Sequence, residues 1–151
     1  AAVEYVIAAR DRCDYTIDLI RSVRSDQFRY IRNYYPDRPL MQPGYRDDRP
    51  PSMDLRRLHA EAKLTDYQAE HWFGIRPSEE LYDMVSDPHQ MNNLAYNTLY
   101  REELLKHRGI LDEWIDTTDY QGQYPEDTEQ LRATYELRKY KPIFLNDDVN
   151  P

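Results

Sequence analysis

The stretch RPSEELYDMVSDPHQMNNLA, residues 76–95, limits the fold more tightly than any other part of the sequence. A helix does not carry Asp87-Pro88 in its middle, because proline lacks an amide N–H, fixes its own φ and pushes the residue before it out of the helical region. A strand does not carry Ser86-Asp87-Pro88-His89 followed by Asn92-Asn93. The backbone chemistry therefore predicts a short strand over 80–85, where Leu81, Tyr82, Met84 and Val85 suit a half-buried extended chain. Asp87-Pro88 then stops it. Asn92, Asn93 and Asn97 offer side-chain oxygens to nearby N–H groups, as suits a turn that leads into a helix.

The flanking sequence supplies the other elements. VEYVIA (3–8) reads as a short apolar strand that runs into Arg10-Asp11-Arg12, so the charges are expected at its end, at an edge or cleft. DLIRSVRS (18–25) and FRYIRNYY (28–35) are β-prone runs joined near Asp26-Gln27, the pattern of an antiparallel hairpin. Residues 36–51 hold five prolines and one glycine and predict a long loop. Loops beyond about 12 to 15 residues in compact domains are usually functional or pack on another part of the molecule. Ser52 is expected to open a helix with Leu55, Leu58 and Ala62 on one side. Thr65-x-x-Gln68 has the spacing of a capping box and opens a second short helix ending at Gly74. Asn97 or Thr98 caps a longer helix in which Tyr100, Leu104, Leu111 and Ile115 recur at helical spacing. A last amphipathic helix is predicted over 126–139, with Leu131 and Tyr135 on one face and Pro142 ending it, before a polar tail.

The chain of 151 residues is about one domain long, and its 40% hydrophobic content can furnish a modest core. A formal charge of −8 disfavours nonspecific binding to nucleic acid or to an anionic membrane. Arginines nevertheless cluster in the first third, from Arg10 to Arg49, which is compatible with a local anion site. The lone Cys13 excludes an internal disulfide and a cysteine-based zinc site. No signal peptide or membrane span is legible, and a start at Ala1-Ala2-Val3-Glu4 predicts a chain that begins within a longer protein.

Most familiar catalytic patterns are missing. The sequence has no GxSxG, P-loop or GxGxxG, and its 4 glycines are few for a phosphate-cradling loop. His59, His71, His89 and His107 are too scattered for a HExxH or HxH ligand pair and are expected at the surface or at caps. Asp47-Asp48 and Asp147-Asp148 read as solvated acidic turns. Cys13, with Arg10 and Arg12 near it, has the surroundings of an activated thiol, but a small buried apolar role is the expectation. Arg10-Asp11-Arg12 is the strongest chemical candidate: two guanidiniums around a carboxylate can bind a sulfate, phosphate or sugar carboxylate in bidentate fashion. A structural ion-pair network is the competing reading. The aromatics of NYYP (33–36) can stack on sugar rings or pack the hairpin.

The phrase ELYDMVSDPHQMNNLA (80–95) resembles the signature near the C-terminus of type I, formylglycine-dependent sulfatases, which reads ELYDL, a short spacer, DP, then NNLA. Departures are slight: His89-Gln90 follows DP where Glu is common, and Met84 takes the fifth position. AARDRCDYTIDLIRSVRSDQFRYIRNYYPDRP (8–39) resembles the ARDR…IRAVR…YKYIRNF region of the same enzymes. LRRLHAEAKLT (55–65) is similar to a helical insert of a subset related to heparan N-sulfatase and other glycan sulfatases. Three blocks in the same order carry the resemblance.

The resemblance implies an α+β fold: the C-terminal subdomain of an alkaline-phosphatase-like sulfatase, with a small antiparallel sheet packed against a C-terminal helix and a final strand of the α/β main domain. Its implied divisions are 1–17 as the end of the main domain, 18–125 as the C-terminal subdomain and 126–151 as a C-terminal helix and tail. Calcium and formylglycine are implied as cofactors, both in an upstream part, because the C/S-x-P/A-x-R nucleophile motif does not fit Cys13 and the residues after it. Implied partners are that upstream catalytic part and a sulfated carbohydrate, with no nucleic acid and no membrane span. A periplasmic, secreted or lysosomal location is also implied. Catalytic residues are expected elsewhere, and Arg10, Asp11 and Arg12 are expected at the rim of the substrate site. A non-catalytic glycan-binding or scaffold module derived from a sulfatase is the alternative.

Overall fold

Asp26 and Gln27 turn the chain between two strands, and from this hairpin the rest of the sheet grows. In the computed structural model, which describes residues 4–13, 16–44, 46–124 and 127–138, strand β2 (Thr16–Arg24) runs antiparallel to β3 (Phe28–Asn33) with Arg24 opposite Arg29 and Val23 opposite Tyr30. Ser25 tightens the turn: its N–H donates to the Phe28 carbonyl at 2.9 Å and its Oγ accepts from the Phe28 N–H at 3.1 Å. On the far side β3 pairs antiparallel with β4 (Glu79–Asp83), Tyr30 facing Leu81. Strand β1 (Val6–Cys13) completes a four-stranded sheet in the order β1-β2-β3-β4, so β1 and β4 are its edges.

The chain divides into two compact units. In the first, comprising 1–11, 18–36 and 77–124, alternation along the strands puts Val23, Tyr30 and Leu81 on one face of the sheet. Helix α3 (Arg101–Thr118) covers that face with Leu104, His107 and Leu111, a stripe at helical spacing. Together with Phe28, Leu94 and Ala95 these apolar side chains form the core, and Ile7, Tyr100, Ile110, Trp114 and Ile115 pack around it. Each fully buried aliphatic side chain of this kind contributes about 1.5 to 3 kcal/mol over its exposed state. Asn97 accepts from the Leu99 N–H at 3.0 Å and caps the 3-10 turn Thr98–Tyr100 that leads into α3.

The second unit, 12–17, 37–76 and 125–151, carries α1 (Pro50–Ala60), α2 (Asp66–Phe73) and α4 (Thr128–Arg138). Helix α1 starts at Pro50, two residues before the expected Ser52. Prolines at the first helical positions lose nothing there, because those N–H groups have no partner inside the helix. The helix also ends before Ala62, which lies in the left-handed region at φ 51, with Lys63 N–H donating to the Leu58 carbonyl and Ala62 N–H to that of His59. Such a C-terminal motif usually takes glycine. The capping box forms as the spacing predicts: Thr65 Oγ1 accepts from the Gln68 N–H at 3.3 Å and Gln68 Oε1 from the Thr65 N–H at 3.0 Å. The described residues of 36–49 hold no helix or strand. They are tied within the unit, Arg38 donating to the Ile17 carbonyl, Arg76 to the Arg38 carbonyl and Met41 N–H to the Trp72 carbonyl. The expected contacts of Leu131 and Tyr135 and the stop at Pro142 lie outside the described residues and side chains.

The α+β expectation, a small antiparallel sheet packed against a helix, holds. Two boundaries differ. The strand expected over 80–85 is Glu79–Asp83, because the Asp83 carboxylate accepts from the Val85 and Ser86 N–H groups and bends the chain before Met84 can extend it. The strand expected over 3–8 reaches Cys13, so Arg10-Asp11-Arg12 lies inside β1 rather than beyond its end. An edge strand tolerates such charges, since one side of each residue meets solvent. Among the described residues no helix is long and apolar enough to cross a membrane.

Candidate functional site

The 83–95 turn shows what its side chains do. Asp83 accepts from Gln27 Nε2 at 3.0 Å through Oδ2, while its Oδ1 takes the Val85 and Ser86 N–H groups. The Gln27 hydrogen bond comes first among the influences that hold this carboxyl below its ordinary range, and the two backbone donors add to it. Asp87 repeats the device: its Oδ2 accepts from the Asn92 N–H at 2.8 Å, and this bond heads the causes that lower its pKa. Gln90, at φ 55, closes the bend and accepts from Arg29 Nη1 at 2.8 Å. Asn93 then lies along the outer edge of β4. Its Oδ1 accepts from the Leu81 and Ala95 N–H groups at 3.0 Å each, its Nδ2 donates to the Glu79 carbonyl at 3.1 Å, and Leu94 N–H donates to the Leu81 carbonyl at 2.8 Å. An edge that would otherwise present unpaired backbone groups is thereby closed.

On the same strand Glu79 anchors α3. Its carboxylate accepts from Arg108 Nε and Nη2 at 2.9 and 2.7 Å and from Tyr30 Oη at 2.6 Å. Burial works to raise the Glu79 carboxyl, and the hydrogen bonds from Arg108 and Tyr30 outweigh it, so its pKa is lowered. Burial first, then the bond to Glu79, pushes the Tyr30 phenol up to about 12. Arg32 joins this network through Tyr30 Oη at 3.0 Å and Asp112 Oδ1 at 2.7 Å.

At the opposite edge the structure separates the three candidate residues of β1. Arg10 is exposed, Asp11 and Arg12 are half-buried, and strand alternation turns Asp11 away from the face shared by its neighbours. Asp11 is therefore not held between two arginines. It meets Arg21, which is 1% exposed: Arg21 Nη2 stands 2.5 Å from Asp11 Oδ1 as an ion pair without the alignment of a hydrogen bond. Tyr120 Oη donates to Asp11 Oδ2 at 2.5 Å, and the Arg21 guanidinium carbon lies 4.5 Å from the centre of the Tyr120 ring. Burial and the bond to Asp11 raise the Tyr120 pKa. Arg21 and Tyr120 escaped the sequence reading, since Asp11 and Tyr120 are 109 residues apart and no local pattern links them.

Two other expectations change. Cys13 is exposed rather than a small buried residue, because it closes an edge strand. His107 is fully buried rather than at the surface: its Nδ1 is 2.9 Å from the Glu103 carbonyl, and its Nε2 is 3.0 Å from Ser25 Oγ. A carbonyl can only accept, so Nδ1 carries the proton, and in the neutral ring Nε2 accepts from the Ser25 hydroxyl. The helical stripe that contains positions 104, 107 and 111 was the available signal. Among the described residues no group of three His, Cys, Asp or Glu side chains could hold a metal ion, so those residues do not fit a calcium site.

An antiparallel sheet with one edge closed by an asparagine-bearing turn, and α3 across one face, defines the class of structure to which the chain belongs. It is the fold found in a solved 2-O GAG sulfatase, 20% identical, with a TM-score of 0.50 over 94% of this chain and 21% of that one. In sequence the chain is 41% identical over 147 residues to the Ulvan-active sulfatase of Formosa agariphila (strain DSM 15362 / KCTC 12365 / LMG 23005 / KMM 3901 / M-2Alg 35-1), covering 97% of this chain and 24% of that protein. The likeness to a sulfatase thus extends along nearly the whole chain, which spans about a quarter of the curated relative it matches. No protein-family model matches the chain.

Proposed function

We propose that this chain is the C-terminal portion of a sulfatase that hydrolyses sulfate groups on a sulfated polysaccharide of the ulvan type. The observation that carries the reading is the 41% identity over 97% of the chain to the Ulvan-active sulfatase. In this reading the chain supplies scaffold and substrate-rim residues, and a formylglycine nucleophile and calcium act upstream. Held upstream, those two groups would supply the nucleophile and the Lewis acid of sulfate-ester hydrolysis, and no residue of this chain would take part in that step. Residues 1–17 are assigned to the end of the main domain, 18–125 to the C-terminal subdomain and 126–151 to a terminal helix and tail. The structural employment of Asp83, Asp87 and Asn93, the most distinctive letters of the signature, supports the scaffold part of the proposal.

Arg10, Asp11 and Arg12 are proposed at the rim, with Arg10 and Arg12 facing an anionic group of the glycan and Asp11 holding the strand that presents them. Because Arg10 is exposed, its contact is of the solvent-screened kind. Arg10→Ala or Arg12→Ala in the full-length protein is expected to lower kcat/KM on ulvan about tenfold, or about 1.4 kcal/mol, with a smaller loss on an aryl sulfate that lacks the remote anion. Equal losses on both substrates with a lowered Tm would support a structural ion-pair role instead.

A further inference from the structure

We infer that Arg21 and Tyr120 are positioning residues for Arg10, an inference that rests on the reading of Arg10 as a rim residue. The observation behind it is that β1 is an edge strand, bonded to β2 on one side and burying little of its own. Val6, Ala8, Ala9 and Arg10 are exposed, and Ile7 alone of this strand packs against the core. An edge strand with so little burial is free to fray unless specific bonds retain it.

Those bonds converge on one peptide. Arg21 Nη1 donates to the Arg10 carbonyl at 3.1 Å and to the Ile20 carbonyl at 2.8 Å, while Nη2 pairs with the Asp11 carboxylate. Tyr120 donates to the other Asp11 oxygen and spreads its ring over the guanidinium, with Tyr34 more distant at 5.9 Å. Gly122 leaves the room this requires, because a Cβ there would overlap both Asp11 Oδ2 and the Tyr120 ring. One buried guanidinium therefore holds the carbonyl of Arg10 and the side chain of Asp11. The peptide between them is fixed on both sides.

The direction in which a strand residue sends its side chain follows from its backbone, so fixing the 10–11 peptide fixes the departure of Arg10 from the sheet. A buried arginine is an expensive way to gain stability, and apolar residues of similar size often serve as well. A guanidinium does something they cannot: Nη1 donates to the Arg10 carbonyl while the charge on the same group holds the Asp11 carboxylate beside it. Arg21 and Tyr120 thus limit the positions open to the Arg10 guanidinium without meeting the glycan themselves.

The test uses the full-length protein with Arg21→Lys, which keeps the charge and loses the fork, and Tyr120→Phe, which keeps the ring and loses one hydroxyl. Arg10→Ala and the double variant Arg10→Ala/Tyr120→Phe complete the set. We expect Arg21→Lys and Tyr120→Phe to lower kcat/KM on ulvan about fivefold through KM, and to leave turnover of 4-methylumbelliferyl sulfate within about twofold. Amide exchange over 9–12 should accelerate while that of α3 is unchanged, and the double variant should be no worse on ulvan than Arg10→Ala. The inference is overturned if Arg10→Ala lowers ulvan turnover but Tyr120→Phe and Arg21→Lys do not, or if they depress both substrates equally. Should Arg10→Ala leave both substrates untouched, the rim reading itself fails and the positioning role falls with it.

Discussion

At Asn93 a single carboxamide accepts two backbone N–H groups, from Leu81 and Ala95, and donates to the Glu79 carbonyl. Asn93→Ala would leave all three groups without that partner, and we expect a loss of about 2 to 3 kcal/mol, read as a lower urea midpoint at constant m. The asparagine is legible in sequence as a turn residue, but its place along the β4 edge is not, because that depends on where β4 ends. A second residue-scale test concerns Tyr30, whose folded pKa of about 12 lies above its ordinary 10.0. A phenol raised on folding contributes stability that is fully present below pH 10 and lost as pH rises from 10 to 12. The difference in urea midpoint between wild type and Tyr30→Phe should therefore shrink across that window. Glu79 acts in the opposite sense: its lowered pKa gives stability above the ordinary carboxylate range that is lost as pH falls through the depressed value.

Among the elements, the hairpin, the capping box of α2 and the apolar stripe of α3 are readable because each is a pattern local to one stretch of chain. The start of α1 was not, since Pro50-Pro51 reads equally as the end of a proline-rich loop. The extent of β1 was missed for a different reason: charged residues suggest an end, and only pairing with β2 shows that the strand continues through them. Helix α3 carries an avoidable weakness at Gly109, where an added Cβ would meet no atom within 4 Å. Gly109→Ala is expected to stabilise the protein by about 1 kcal/mol, as seen by urea unfolding, because alanine restricts the unfolded chain and favours the helix. A destabilising Gly109→Ala would mean that the exposed face of α3 is covered in the protein as it functions.

For the molecule as a whole, the sequence conveyed the family resemblance through three ordered blocks, and the 41% identity to a sulfatase along 97% of the chain bears it out. What the blocks could not convey is the division of labour within them. The signature residues Asp83, Asp87 and Asn93 bond backbone, Asp11 pairs with the buried Arg21, and Arg10 is left exposed on an edge strand. Large apolar side chains at Leu99, Ile75, Val85 and Tyr96 are exposed at 70% or more, in keeping with a chain that spans about a quarter of its relative. We propose that this segment shapes a substrate site whose chemistry is performed elsewhere in the polypeptide. It is tested most directly by measuring sulfate released from ulvan by the full-length protein and by residues 1–151 alone, with and without added calcium. Release by the full-length protein and none by residues 1–151 is expected; metal-dependent turnover by residues 1–151 would overturn the proposal.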